Sequence, residues 1–313
     1  MTAGALSHRR VFVTGGSGFL GAHLLRMLAS SGAQVHALRH HARAIDVAAV
    51  TWHAGDLLDR DGLASLLASI RPHYVFHLAA YGAKPAERGR EQILATNING
   101  AANLWVALPD SVQRVVMTGS CREYADAQGP VDEAYPCDPR TPYLVAKHAA
   151  VQLLSAFARE DSRSLVVIRP FGPYGPGDES DRVIPSTIRA LVAGETVDLT
   201  SGEQLCDFAF VDDQVRAITA AATAVVPVPL ALYNVGGGQV MTLRAVLEQA
   251  ADSVGEGACS RLRFGARPSR EGDSRAVCAD ITAARRDLGY RPTVALPDGL
   301  ARTVDWIRAL ARV

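Results

Sequence analysis

The stretch Val13–Gly21, "VTGGSGFLG", leaves an apolar run and opens a helical pattern, with glycines at 15, 18 and 21. Glycines so placed let a chain turn sharply and let a pyrophosphate approach the backbone. The helix terminus behind them supplies N–H donors and a favourable dipole. A glycine triplet alone carries little weight; here it stands at the first strand-to-helix junction of an alternating chain. Gly15, Ser17, Gly18, Phe19, Leu20 and Gly21 are therefore expected to hold a dinucleotide.

Working outward, the strand candidates are 10–15, 34–39, 50–55, 73–80, 114–120 and 165–170. Several are continuous apolar runs, which suits strands buried on both faces. Helical stretches lie between them at 19–31, 61–70, 91–108 and 143–160. This alternation predicts an α/β fold of Rossmann type, a doubly wound parallel sheet. After Pro170 the texture changes, and "RPFGPYGPGDES" (169–180) is a Gly- and Pro-rich loop. Beyond it come a helix near 183–193, a strand-like "FAFV" (208–211) and "ALYNVGGG" (231–238). A further helix has Thr242 as N-cap and Gly255 as its stop, and a last one spans 299–311. The expected division is a dinucleotide-binding domain over 1–168, with 208–240 returning to it. A smaller substrate-binding α/β lobe takes 169–313.

The 313 residues include 48% hydrophobic and 20% charged residues, the profile of an ordinary globular protein. Net charge is zero, so there is no electrostatic footprint for nucleic acid or an anionic membrane. No pair of the five cysteines has CxxC spacing, and neither a disulfide framework nor a metal site is expected. The opening "MTAGALSHRR" lacks the apolar core of a signal peptide, and the most apolar run, near 217–232, is broken by Pro227 and Pro229. A cytoplasmic location is expected.

The end of the second strand distinguishes the two nicotinamide cofactors. A carboxylate there suits a ribose 2′-hydroxyl, an arginine a 2′-phosphate. The sequence has "ALRHHAR" (37–43), with Arg39, His40 and Arg43 and no carboxylate, which favours NADP(H). Asp56, in "GDLLD" (55–59), is placed to accept from the adenine amino group.

In "TPYLVAK" (141–147), Thr141 reads as an N-cap and Pro142 as the first helical residue. Tyr143 and Lys147 then share one helix face. Lys147 is one of only two lysines in the chain, the other being Lys84. An ammonium beside a phenol is expected to lower the tyrosine pKa and make Tyr143 a usable acid or base. Ser120, at the carboxyl end of the fifth strand, is the natural hydroxyl donor to a substrate oxygen.

Taken in order, "TGGSGFLG", "GDLLD", "HLAA", "TNINGAANL", "GSCREY", "PYLVAK", "RPFGPYGPGD", "DFAFVDD" and "REGD…ADITAARRDLGYRP" resemble the extended short-chain dehydrogenases/reductases. The resemblance is to their NAD-dependent epimerase/dehydratase branch, which acts on nucleotide sugars. It implies that Ser120, Tyr143 and Lys147 are catalytic and that Leu57, Leu78, Ala79, Ala80, Asn97 and Pro170 lie along the cofactor with Tyr143 and Lys147. It also implies substrate contacts at Arg122 and Arg270, the latter a guanidinium for a pyrophosphate. A homodimer through helices at about 91–108 and 143–160 is a further implication.

Departures narrow the reading. Family dehydratases carry an Asp-Glu pair directly after the catalytic hydroxyl residue, where this chain has Cys121 and Arg122, so 4,6-dehydration is not expected. The family's 4-epimerases usually place an acid where Arg39 stands. Gly172 replaces a common Asn, and Cys206 a common phosphate-binding Arg. The resulting expectation is an NADPH-dependent reductase of a nucleotide-linked 4-keto-6-deoxyhexose. Its alternatives are a 4-epimerase, a reductase of other carbonyls and a dinucleotide-sensing regulator without activity.

Overall fold

The computed structural model describes residues 5–40, 47–83, 87, 89–178, 181–268 and 277–311. Seven strands form one parallel sheet: β1 (Arg10–Thr14), β2 (Gln34–Arg39), β3 (Val50–Ala54), β4 (Tyr74–His77), β5 (Arg114–Thr118), β6 (Ser164–Pro170) and β7 (Leu230–Val235). Their spatial order is β7-β6-β5-β4-β1-β2-β3, with every neighbouring pair parallel. This is the doubly wound Rossmann arrangement expected from the alternation. Order reverses between β1 and β4, and in such sheets a ligand crevice opens at the carboxyl ends beside that point.

Alternate side chains along the strands feed two apolar layers. Val11, Val13, Phe76 and Val116 face one side, while Phe12, Val75, Val115 and Met117 face the other. Helix α1 (Phe19–Ser30) contributes Leu24, Leu25 and Leu28 to the first layer, and α2 (Arg60–Ile70) contributes Leu63 and Leu67 to the second. Both faces being dry explains why β1, β4 and β5 read as unbroken apolar runs. Helix α3 (Arg90–Leu94) runs through a π-helical turn (Ala95–Asn99) into α4 (Gly100–Val106), and α5 (Pro142–Glu160) follows β5.

The second half holds α6 (Val183–Val192), α7 (Val211–Ala221), α8 (Leu243–Val254), α9 (Thr282–Leu288) and α10 (Leu296–Leu310). Helices α6, α8 and α10 pack on one another through Ile184, Ile188, Val246, Leu300 and Val304. By contrast, α7 lies against α1, and β7 pairs with β6. The strand expected at 208–211 differs: only Ala209–Phe210 is extended, paired with Pro173–Tyr174, and Val211 already opens α7. Among the described residues, no helix is long and apolar enough to cross a membrane, and the five cysteines are free.

Candidate active site

The turn after β1 is built by close backbone approach. Gly15 has φ +75°, and a Cβ there would lie 2.5 Å from the Ala79 amide nitrogen. On Gly21 a Cβ would lie 2.1 Å from the Gly15 carbonyl oxygen. These glycines let the β1 turn, the segment after β4 and the first turn of α1 share one place. Gly18 donates its N–H to the Gly15 carbonyl at 3.1 Å and caps α1 without any side-chain hydrogen bond. The first turn of α1 carries no acidic residue. Its N–H groups and dipole end are thus available to an anion, and the cradle fits a dinucleotide pyrophosphate.

Ser17 is exposed on this turn, with Phe19 and Leu20 half-buried behind it. Leu78, Ala79 and Ala80 follow β4, expected as a continuation of the strand. The strand instead stops at His77, where the chain bends past Gly15 and the Ala79 N–H reaches the Thr14 hydroxyl at 3.4 Å. Asn97 is buried in the π-helical turn, and its carboxamide clasps the Tyr81 backbone from both ends, at 3.0 and 2.7 Å. Leu57 is buried against Gly100.

Arg39 and His40 stand exposed at the carboxyl end of β2. Asp56 is held by its neighbours: one oxygen accepts the Leu58 N–H at 2.9 Å, the other lies 3.2 Å from His40 Nε2. Arg43 and Arg270 lie outside the described residues.

The catalytic candidates converge at the ends of β5 and α5. Thr141 caps α5 through its hydroxyl, which accepts from Leu144 N at 3.3 Å, and Pro142 is the first helical residue, as the sequence implied. Tyr143 is half-buried, its ring within 3.2 Å of where a Gly82 Cβ would stand. One turn on, Lys147 is buried, and its ammonium donates to the Thr118 carbonyl at 2.5 Å. Ser120 accepts from Arg122 N at 3.2 Å, which leaves its hydroxyl proton to donate into the cleft.

The electrostatics correct one expectation. The Tyr143 phenol is not lowered: burial, aided by Glu123, Glu87 and Cys121, pushes it up to about 12, against Arg182. The Lys147 ammonium is bonded to the Thr118 carbonyl, and burial lowers Lys147 itself to about 8 while Glu123 opposes that. Burial, followed by the Lys147 charge, pulls His77 down to about 3, so that ring is neutral and bonded to the Thr14 hydroxyl at 2.7 Å. Cys121 is pushed up to about 11, chiefly by burial, and Arg122 is exposed. Neither position after Ser120 offers a base.

Pro170 ends β6. The departure at 172 has a local cause. Gly172 sits at φ +42°, and a Cβ there would meet the Asp207 carbonyl at 2.4 Å. Cys206 is tied into short pairings with Met241 and Val277.

Residues 11–236 match the model of the NAD dependent epimerase/dehydratase family. The chain belongs to the NAD-dependent epimerase/dehydratase family. It is 31% identical to a UDP-glucose 4-epimerase of Mycolicibacterium smegmatis over 96% of this chain and 98% of that one. It is 28% identical to a dTDP-glucose 4,6-dehydratase of Neisseria meningitidis, covering 95% and 93%. Among solved structures, MoeE5 in complex with UDP-glucose and NAD superposes with a TM-score of 0.85 at 34% identity, over 96% and 99%. Within this family of enzymes, two site features escaped the sequence reading. Arg182, at the start of α6, lies over the Phe19 ring at 5.2 Å and acts on the Tyr143 phenol. Glu123 closes the Ser-x-x-Glu spacing of 120–123, a capping-box signature that was there to be read.

Proposed function

We propose that this family member uses NADPH to reduce the 4-keto group of a nucleotide-linked 4-keto-6-deoxyhexose. The observation that carries the reading is Ser120 followed by no carboxylate at 121 or 122, with Arg39 and His40 ending β2; burial holds the Tyr143 phenol in its acid form. A phenol held in its acid form is a proton donor, as ketone reduction requires. Dehydration needs the missing acids. NADPH, when bound, supplies the hydride. Ser120 hydrogen-bonds the substrate oxygen, Tyr143 gives its proton to the developing alkoxide, and the Lys147 charge stabilises the phenolate left behind. Arg39 and His40 supply cationic and hydrogen-bonding groups for a 2′-phosphate, and the Gly15–Gly21 turn takes the pyrophosphate.

The test is purified protein, NADPH and a panel of 4-keto nucleotide sugars, following loss of NADPH absorbance. Consumption that vanishes in Tyr143→Phe, with NADPH affinity retained, supports the reading; silence across every nucleotide retires it. A second reading, NAD-dependent 4-epimerisation, is favoured by the epimerase relative and by the NAD in the MoeE5 complex. It is separated by whether NAD copurifies and whether turnover needs no added reductant.

A homodimer through the α3–α4 and α5 helices also belongs to this proposal. Leu94, Val106 and Val145 are exposed there. The extra residue of the π turn brings Leu94 and Val106 back onto one stripe. Light scattering on Val106→Asp should show monomer where the unaltered chain shows dimer.

A further inference from the structure

Glu123 is fully buried, and its carboxylate gathers groups from three elements. One oxygen accepts the Ser120 N–H at 2.6 Å. The other accepts from Arg169 of β6 at 3.0 Å and lies 3.1 Å from His148 Nδ1 of α5. Each partner adjoins the proposed chemistry: Ser120 is part of it, Arg169 precedes Pro170, and His148 follows Lys147. Gly119 makes the seat, since a Cβ there would stand 2.7 Å from the carboxylate. Arg169 is fixed in turn over the Tyr124 ring at 4.4 Å and donates to Cys137 Sγ at 3.4 Å.

The titratable and charged groups around this carboxylate are Lys147, Tyr143 and His148 from α5, Arg169 from β6, and Cys121 and Cys137, with His77 of β4 acting on the Lys147 side. Glu123, Cys137 and His148 could in composition ligate a metal ion, but the Arg169 guanidinium already supplies the cation beside two of them. Burial alone would raise the Glu123 carboxyl. Bonds from His148, Arg169 and the Ser120 amide, with the Lys147 charge, instead hold it below the usual value. It is therefore an anion, and with both oxygens engaged it is no base for a substrate. The groups that hold it also flank a buried ammonium. Lys147 precedes His148 on α5 and donates to the Thr118 carbonyl, two residues before Ser120. Its charge is one that burial disfavours and a nearby anion restores.

We propose that Glu123 is a positioning residue of the reaction, fixing Ser120 through its amide and serving as the counter-charge that keeps the Lys147 ammonium protonated. The inference rests on the roles given above to Ser120, Tyr143 and Lys147. It places outside the Ser–Tyr–Lys set the charge that keeps one of its members active at neutral pH.

Having two lysines makes a direct test possible. In Lys84→Arg protein labelled with 13Cε-lysine, Lys147 is the one remaining lysine signal, and its titration midpoint is read by NMR without any turnover. Glu123→Gln should lower that midpoint by about one pH unit or more. Because this leaves Arg169 a buried unpaired cation, the same comparison is made between Arg169→Gln and Glu123→Gln/Arg169→Gln, where the pair is neutral. Lys147 should titrate lower in the double variant than in Arg169→Gln. Equal midpoints in that comparison overturn the proposal, whatever becomes of the single Glu123 variant. In active protein, the fall of kcat with rising pH should move to lower pH in the same variants. An inactive protein showing the lysine shifts would retire the catalytic reading and leave the role of Glu123 standing. An active protein with an unmoved lysine would do the reverse.

Discussion

The Lys147 ammonium donates to the Thr118 carbonyl across 2.5 Å, tying helix α5 to the last residue of β5. A point charge on a flexible stem can make that bond in a fully buried place, whereas a planar guanidinium brings five donors that need partners. This accounts for a lysine in a chain that otherwise carries its positive charge almost wholly as arginine. Lys147→Arg is expected to lower kcat by roughly 100-fold. Steady-state NADPH oxidation measures it, and unchanged turnover would remove Lys147 from the chemistry.

Arg39 ends β2 and is exposed, and Asp56, after β3, is already held by His40 and the Leu58 amide. Arg39→Asp converts a phosphate partner into a ribose-hydroxyl partner. The ratio of kcat/KM for NADPH over NADH should fall by at least about tenfold. A ratio that does not move would place the selectivity elsewhere and weaken the NADPH reading.

Much of this was legible from pattern alone. The residues of β2 were bounded correctly at 34–39, and Thr141, Pro142 and Thr242 marked helix starts that the structure keeps. These signals are local, set by sterics and capping within a few residues. What failed depended on distant partners. The apolar run 73–80 read as strand throughout, yet Leu78–Ala80 must bend around Gly15, which is close only in the fold. "FAFV" (208–211) read as strand-like, while Val211 opens a helix whose first turn carries the acids Asp212 and Asp213. The direction of the Tyr143 pKa was misread for the same reason. Helical spacing puts Lys147 beside the phenol, but spacing says nothing of burial or of Glu123 and Glu87 nearby.

Gly21 offers a stability test separate from cofactor binding. A methyl group there would sit 2.1 Å from the Gly15 carbonyl, a distance real Cβ atoms do not show, and the obstacle is backbone. Gly21→Ala should destabilise the protein by about 2 kcal/mol or more through overpacking at the β1 turn. Urea unfolding of the cofactor-free protein measures this. A midpoint equal to that of the unaltered chain would mean the turn relaxes freely, and the constraint would then belong to the ligand.

At the sheet edge, His36 on β2 and His53 on β3 face each other with Nδ1 and Nε2 2.9 Å apart, their rings stacked. One ring must donate and the other accept, so the contact fails when both are charged. Burial lowers both pKa values; for His36 the neighbouring His53 and Arg10 lower it further. The fold therefore favours the neutral rings. Their contribution is fully present above the unfolded value of 6.5 and is lost as pH falls through the lowered folded values. The urea midpoint should thus drop between about pH 7.5 and about pH 5. Other lowered histidines, His73 and His77, share in that slope, so the comparison is with His53→Gln. Glutamine can keep one hydrogen bond to His36 without titrating, and should flatten part of the dependence. An identical slope in that variant would show that the β2–β3 edge does not sense pH through this pair.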